Sequence, residues 1–251
     1  MFEPPAFFEA LGITYLGPFD GHDIEEIEQA LSNAIEFEGP VVIHVLTQKG
    51  RGHAPAEQDS IKHMHDTSGM KSGSYTEAFS EALVKAGESN SKVVAITAAM
   101  PDSTGLLSFR ERFPERCFDV GIAEEHAVIF AAGMATMDYR PVVAIYSTFL
   151  QRAYDCIIHD VALQDLPVIF CMDRAGLSAN DGPTHHGLFD ISYLRCIPNI
   201  IAMAPRNEDQ LAAVMFTASR QTHPVFILYP RGAAEGVVIT EEPAMLGVGP
   251  A

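Results

Sequence analysis

The stretch 141-PVVAIYSTFLQRAYDCIIHDVALQDLPVIFCMD-173 decides the fold. Its two ends, 141-PVVAIYS-147 and 167-PVIFCMD-173, are apolar at nearly every position, as strands covered on both faces are. The segment between them, 149-FLQRAYDCIIHDVALQ-164, is amphipathic at helical spacing. A buried strand, a helix and a second buried strand make a crossover unit, which places its strands parallel.

The same alternation extends outward in both directions. Strand patterns recur at 41-VVIHVL-46, 92-KVVAITAA-99, 200-IIAMA-204 and 225-VFILYP-230, and helical patterns at 24-IEEIEQALSNAIEF-37, 76-TEAFSEALVKAG-87 and 207-NEDQLAAVMFTASR-220. Two helix starts carry capping-box spacing, Asp23 with Glu26 and Ser74 with Glu77. The expected fold is α/β, a mainly parallel sheet of about six strands with helices on both faces. Residues 50–73 are polar, rich in Gly, Ser and His, and have no clean period, so they read as a linker or a site loop. One helix and one strand before them are too little for an independent core. The tail 240-TEEPAMLGVGPA-251 is also linker-like.

Composition narrows the function. A net charge of −17 repels phosphate backbones, so nucleic-acid binding is not expected, and any bound phosphate needs a local arginine cluster. Cys117, Cys156, Cys171 and Cys196 are scattered without CxxC pairing and read as reduced thiols of a cytoplasmic protein. The start carries no signal-peptide pattern, and no apolar run is long enough to span a membrane.

Chemistry concentrates in a few places. In 119-DVGIAEEHAVIFAAGMA-135 a short strand and a tight turn lead into an apolar helix headed by Glu124, Glu125 and His126. First-turn carboxylates are favoured by the helix dipole, by roughly 0.3–1 kcal/mol each when exposed. This helix is apolar on nearly every face, which puts its head inside the domain. A buried carboxylate with no cation beside it is pushed toward its protonated form, able to donate a hydrogen bond or move a proton. Tyr146, Ser147 and Phe149 stand at a strand end, where ligands sit in open α/β sheets, although two aromatics there read as readily as core. Arg152, one turn on, fits a solvated face equally well. The loop 173-DRAGLSANDGPTHHGLFD-190 follows a strand and holds Arg174, Asp181, His185 and His186; Arg231 ends the last strand in 229-YPRG-232. His63 and His65 lack a third or fourth ligand at sensible spacing, so no metal site is expected there.

The strings GIAEEHAVIFAAGMA, RPVVAIYSTFLQRAYDCIIHD, MDRAGLSANDGPTHHGLFDISYLR and YPRG, preceded in order by GPFDGHD, KGRGHAPAE and YTEAFSEAL, resemble the 1-deoxy-D-xylulose-5-phosphate synthase family. These are thiamine-diphosphate enzymes of the transketolase group, and the resemblance runs from about residue 6 to about residue 235. It implies that Glu124 bonds N1′ of the cofactor's aminopyrimidine and favours the tautomer that deprotonates C2. It further implies that Phe149 stacks on that ring with Ser147 beside the cofactor, and that His185 exchanges a proton during carbonyl addition. Tyr146, Arg174, Asp181 and Arg231 would bind the phosphorylated substrate. His65 is matched to a family histidine, Glu125 and His126 read as structural, and His186 is a lesser site candidate than His185.

The resemblance also implies an organisation. Residues 1–70 correspond to the end of a diphosphate-binding domain, 71–235 to the pyrimidine-binding domain, and 236–251 to a linker toward a C-terminal domain. The implied substrates are pyruvate and glyceraldehyde 3-phosphate, the cofactors thiamine diphosphate and Mg²⁺, and the assembly a homodimer. The family's GDG motif, which with a later Asn holds the diphosphate and Mg²⁺, does not occur in the chain. On that basis Met1 reads as the start of a partial sequence, inactive by itself. Ala179 stands where the family usually has Gly. Two other readings stay open: one chain of a split thiamine enzyme, of transketolase or oxoacid-dehydrogenase β type, and a non-catalytic partner-binding homologue.

Overall fold

The computed structural model describes residues 4–61, 63–65, 72–178 and 181–249, so the departure at Ala179 lies outside the described residues. The chain divides into two compact units, Met1–Thr67 and Ser68–Ala251.

The first unit contains α1 (Pro4–Ala10), β1 (Thr14–Asp20), α2 (Ile24–Ala34), β2 (Val41–Leu46) and α3 (Ala54–Gln58). The sequence suggested only one helix and one strand here. β1 escaped because Gly17-Pro18 interrupts its pattern; the strand nonetheless pairs in parallel with β2, with a register shift between Leu16 and Phe19. Asp23 caps α2 by accepting from the Glu26 amide at 3.1 Å, but the Glu26 carboxylate reaches back to the Asp20 amide rather than to Asp23. Ala30 alone is buried in α2, while Ile24, Leu31 and Ile35 stay exposed, as in a unit too small to cover its own apolar face.

The second unit runs through α4 (Tyr75–Ser89), β3 (Val93–Thr97), α5 (Leu107–Arg112), β4 (Cys117–Asp119), α6 (Glu124–Ala135) and β5 (Arg140–Tyr146). The 149–164 helix is not one element. It begins as α7 (Ser147–Leu150), tightens to a 3₁₀ turn at Gln151–Ala153, resumes as α8 (Tyr154–Cys156) and widens to a π turn at Ile157–Ala162. Then follow β6 (Ile169–Asp173), α9 (Asp190–Leu194), β7 (Ile201–Met203), α10 (Glu208–Ala218) and β8 (Val225–Tyr229). Six strands form one sheet in the order β4-β3-β5-β6-β8-β7, every pair parallel.

Alternation along the strands explains the continuous apolar runs. In β5, Val143 and Ile145 join one core with Val128, Ala131, Ile157 and Phe226, against α6 and the 147–162 run. Val142 and Ala144 face the other core, with Phe79, Leu83, Leu211 and Met215 from α4 and α10. From β3 the chain continues toward β4 on one side; from β5 it continues toward β6 on the other. The adjacent C-terminal ends of β3 and β5 therefore form the topological switch point, where open α/β sheets bind ligands. No helix among the described residues is long and apolar enough to cross a membrane.

Candidate active site

Glu124 opens α6 and is only 2 % exposed, because the helix behind it packs Ala127, Val128 and Ala131 into the core. It does not lack a cation. Nη1 of Arg152 lies 3.3–3.4 Å from its two carboxylate oxygens, which corrects the expectation of an unpaired buried acid. The backbone turns that split the 147–162 run put Arg152 there, and its side chain remains half exposed.

From Arg152 a chain of ring contacts crosses the switch point. The Arg152 guanidinium lies 5.8 Å from the Phe149 ring centroid. Phe149 stacks on Tyr146 at 5.6 Å, and His185 meets Phe149 edge-on at 5.2 Å. The Nδ1 of His185 is 2.9 Å from the Thr184 hydroxyl. Burial pushes the Tyr146 phenol above its ordinary value, with the Arg174 cation working against that rise. Ser147 is fully buried and its hydroxyl donates to Asp190, which ties the strand end to α9.

Arg174 is the hub of the next contacts. Its backbone is left-handed, with φ near 64°, an uncommon setting for a residue with a side chain. Its guanidinium carbon lies 3.8 Å from the Tyr146 ring centroid, and Nη1 donates to the Ser103 carbonyl at 3.0 Å and to Asp173 at 2.9 Å. Asp181 sits 3.8 Å from its Nε and is ion-paired with Arg231. The Ser178 hydroxyl donates to Asp181 at 2.7 Å, and the Ser178 amide donates to His186 at 3.1 Å. The Ser103 loop comes close because Gly105 has φ near 77° and a Cβ there would stand 2.9 Å from the Thr76 carbonyl oxygen.

The fold thus gathers Glu124, Tyr146, Ser147, Phe149, Arg174, Asp181, His185 and Arg231 around one end of the six-stranded sheet. His65 belongs to the first unit and is exposed; its neighbour His63 has Nδ1 3.1 Å from the Ala56 carbonyl. Among the described residues no group of three or more His, Cys, Asp or Glu is placed to hold a metal ion. Sequence reasoning passed over Asp173, Ser103, Thr76 and Asp190. Asp173 and Asp190 were visible as carboxylates at the two ends of the loop, the first closing an apolar strand. Thr76 and Ser103 carried no local signal.

Chemically, the arrangement offers a buried carboxylate, joined through Arg152 to the Phe149 ring, and two arginines converging on one carboxylate. The first suits a ring nitrogen held out of water; the second suits a planar or tetrahedral oxyanion.

Comparison with known proteins identifies the family. Residues 71–236 match the family model described as the transketolase pyrimidine-binding domain, and residues 1–47 match that of 1-deoxy-D-xylulose-5-phosphate synthase. Proteins named 1-deoxy-D-xylulose-5-phosphate synthase from Methylacidiphilum infernorum and Carboxydothermus hydrogenoformans are 53% and 54% identical, over 98% and 94% of this chain. The chain spans about 40% of the length of either. Among solved structures, a split-gene transketolase described as an inactive β4 tetramer superposes with a TM-score of 0.60 at 28% identity, covering 69% of this chain and 56% of that one. A transketolase from Campylobacter jejuni superposes with a TM-score of 0.57 at 18% identity, covering 92% of this chain and 48% of that one, a likeness of fold.

Proposed function

Because the chain belongs to the transketolase pyrimidine-binding family, in its 1-deoxy-D-xylulose-5-phosphate synthase branch, we propose that residues 71–235 form the pyrimidine-binding half of a thiamine-diphosphate active site. The assembled enzyme joins pyruvate, with loss of CO₂, to D-glyceraldehyde 3-phosphate. The product is 1-deoxy-D-xylulose 5-phosphate, a precursor for isoprenoids, thiamine and pyridoxal. We further propose that residues 1–70 complete a diphosphate domain, that 236–251 lead toward a C-terminal domain, and that the whole enzyme is a cytoplasmic homodimer.

The observation that carries this reading is Glu124, a nearly fully buried carboxylate heading an apolar helix and linked through Arg152 to the Phe149 ring. The residues fit the group. The Glu124 carboxyl would take N1′ of the aminopyrimidine, Phe149 would cover the ring, and Ser147 would support the strand end beside it. When bound, thiamine diphosphate supplies the carbon nucleophile and the electron sink. The protein's own part is to bind, orient and move protons. His185 packs against Phe149 and Tyr146, and it would exchange a proton with the substrate carbonyl. Arg174 and Arg231 hold the aldehyde's phosphate, with Tyr146 and Asp181 fixing their geometry. His65 would be the counterpart of the family's histidine. Mg²⁺ belongs with the cofactor's diphosphate, whose GDG motif this chain lacks.

The likeness to the split-gene transketolase chain favours one second reading, in which the diphosphate domain comes from a separate polypeptide. A single experiment addresses both. The chain is joined to, or mixed with, the diphosphate-binding part of the Methylacidiphilum relative and assayed with pyruvate and glyceraldehyde 3-phosphate. Deoxyxylulose phosphate should form in the fusion and disappear with Glu124→Gln; formation on mixing alone favours the split arrangement. Ketol transfer between sugar phosphates, without condensation of pyruvate, would reject the proposed reaction.

A further inference from the structure

Asp173 ends β6 and is wholly buried, and it meets the arginine pair only through Arg174. It pairs in register with Tyr229 on β8, also wholly buried, so the strand beneath it cannot shift without moving the core. Its Oδ2 accepts from the Thr76 hydroxyl at 2.9 Å and from Nη1 of Arg174 at 2.9 Å; its Oδ1 has no hydrogen-bond partner. Arg174 is only 7 % exposed and needs a counter-charge at that depth. A guanidinium offers donors along two edges. Nη1 is already engaged with Asp173 and the Ser103 carbonyl, whereas Nε makes no hydrogen bond and has only the Asp181 carboxylate, 3.8 Å away, as an ion-pair partner. The edge toward Asp181 and Arg231 is therefore the one still able to take an oxyanion. The 3.8 Å contact with the Tyr146 ring holds the group from one side, and Asp173 holds its Nη1 end.

We propose that Asp173 is a positioning residue: anchored by Thr76, it holds Nη1 of Arg174 so that the Nε edge faces the phosphate subsite shared with Arg231. This rests on the reading of Arg174 as a phosphate ligand. Asp173 itself touches no substrate and acts only through Arg174.

The test is a double-mutant cycle on the 251-residue chain. Inorganic phosphate is titrated and followed by the ¹⁵N signal of the Arg174 Nε–H, or by calorimetry where Arg174 is absent. Thermal unfolding serves as a check on the fold. Asp173→Asn should weaken phosphate binding about three- to tenfold, less than the loss of a whole charge-assisted contact, because Arg174 remains and only its alignment is lost. Arg174→Ala should weaken it at least as much, and the double variant should bind no more weakly than Arg174→Ala. A merely structural role would make the losses additive and would overturn the proposal. Wild-type affinity in Asp173→Asn, with affinity lost in Arg174→Ala, would overturn it while leaving the phosphate role of Arg174 intact. Unchanged affinity in Arg174→Ala would reject that role and the inference with it. If Asp173→Asn does not fold, Thr76→Val takes its place in the cycle. It removes one anchor of Asp173 and should weaken binding only when Arg174 is present; no effect there counts against the proposal.

Discussion

Nη1 of Arg152 lies 3.3 Å from the carboxylate of Glu124, and the two partners sit in different media: the Glu124 side chain is 3 % exposed and that of Arg152 is 54 % exposed. The wet partner can swing away without leaving a hole, while the dry one cannot move without disturbing α6. The pair therefore does not resemble a closed buried ion pair, whose separation would cost several kcal/mol. It leaves Glu124 free to exchange the arginine for a ring nitrogen when one is presented.

Glu124→Gln keeps the shape of that side chain and removes its charge. In the assembled enzyme this substitution should slow exchange of the cofactor's C2 proton by about 10²–10⁴-fold, the usual span for a positioned acid–base group. Deuterium exchange followed by NMR reads the step directly, and circular dichroism should show the fold unchanged. Wild-type exchange in the Gln variant would remove Glu124 from the chemistry.

Arg174 and Arg231 converge on Asp181 from β6 and from the end of β8. Replacing either by Ala in the assembled enzyme should raise KM for glyceraldehyde 3-phosphate by roughly 10–100-fold, one charge-assisted bond of about 1.5–3 kcal/mol. KM for pyruvate should change far less. The ratio of the two is the measurement; equal increases would point to damage of the loop as a whole.

What could be read from the residues follows from how each is buried. β5, β6 and β8 announce themselves because both faces are covered and nearly every position is apolar. The site loop was legible because Arg, Asp and His gather after such a strand. β1 was not, since Gly17-Pro18 breaks its period, and neither was the break-up of the 149–164 helix, because periodicity near 3.6 survives local changes of winding. Arg152 stood evenly between surface and site because only the three-dimensional path of that broken helix decides what a side chain one turn away can reach. Thr76 and Ser103 meet the site across 97 and 71 residues of chain, a relation no local pattern carries.

Glu208 gives a pH dependence with a definite sign. It is 5 % exposed at the head of α10, and its carboxylate accepts from the Glu235 and Val237 amides at 3.1 and 2.7 Å. Its own backbone amide first, and then those tail amides, hold its pKa below the ordinary 4.5 against the opposing effect of burial. A depressed folded value means the anchoring is complete above the unfolded pKa and is lost as pH falls from there through the folded one. Protection of the Val237 amide, its exchange measured against the intrinsic rate at each pH, should therefore fall below about pH 4.5. Glu208→Gln should exchange faster at neutral pH and show little of that transition. Identical pH profiles in the two proteins would show that another group holds the tail.

The last expectation concerns the affinity of the chain for its cofactor. Glu124 and Phe149 offer only the pyrimidine end of a thiamine-diphosphate site, and a ring edge with one stacking face holds a ligand weakly against the entropy lost on binding. A diphosphate is gripped chiefly through Mg²⁺ and hard oxygen ligands. The chain contains no GDG motif, and no cluster of three or more His, Cys, Asp or Glu among the described residues is placed to hold a metal. Calorimetric titration of these 251 residues with thiamine diphosphate should therefore show binding no tighter than about millimolar, roughly 4 kcal/mol, and adding Mg²⁺ should not strengthen it. Supplying the diphosphate-binding part of a relative should restore the Mg²⁺ dependence, and Glu124→Gln should weaken the restored binding. Micromolar, Mg²⁺-dependent binding by the chain alone would mean that it carries a metal site of its own, built from oxygens outside the family's motif.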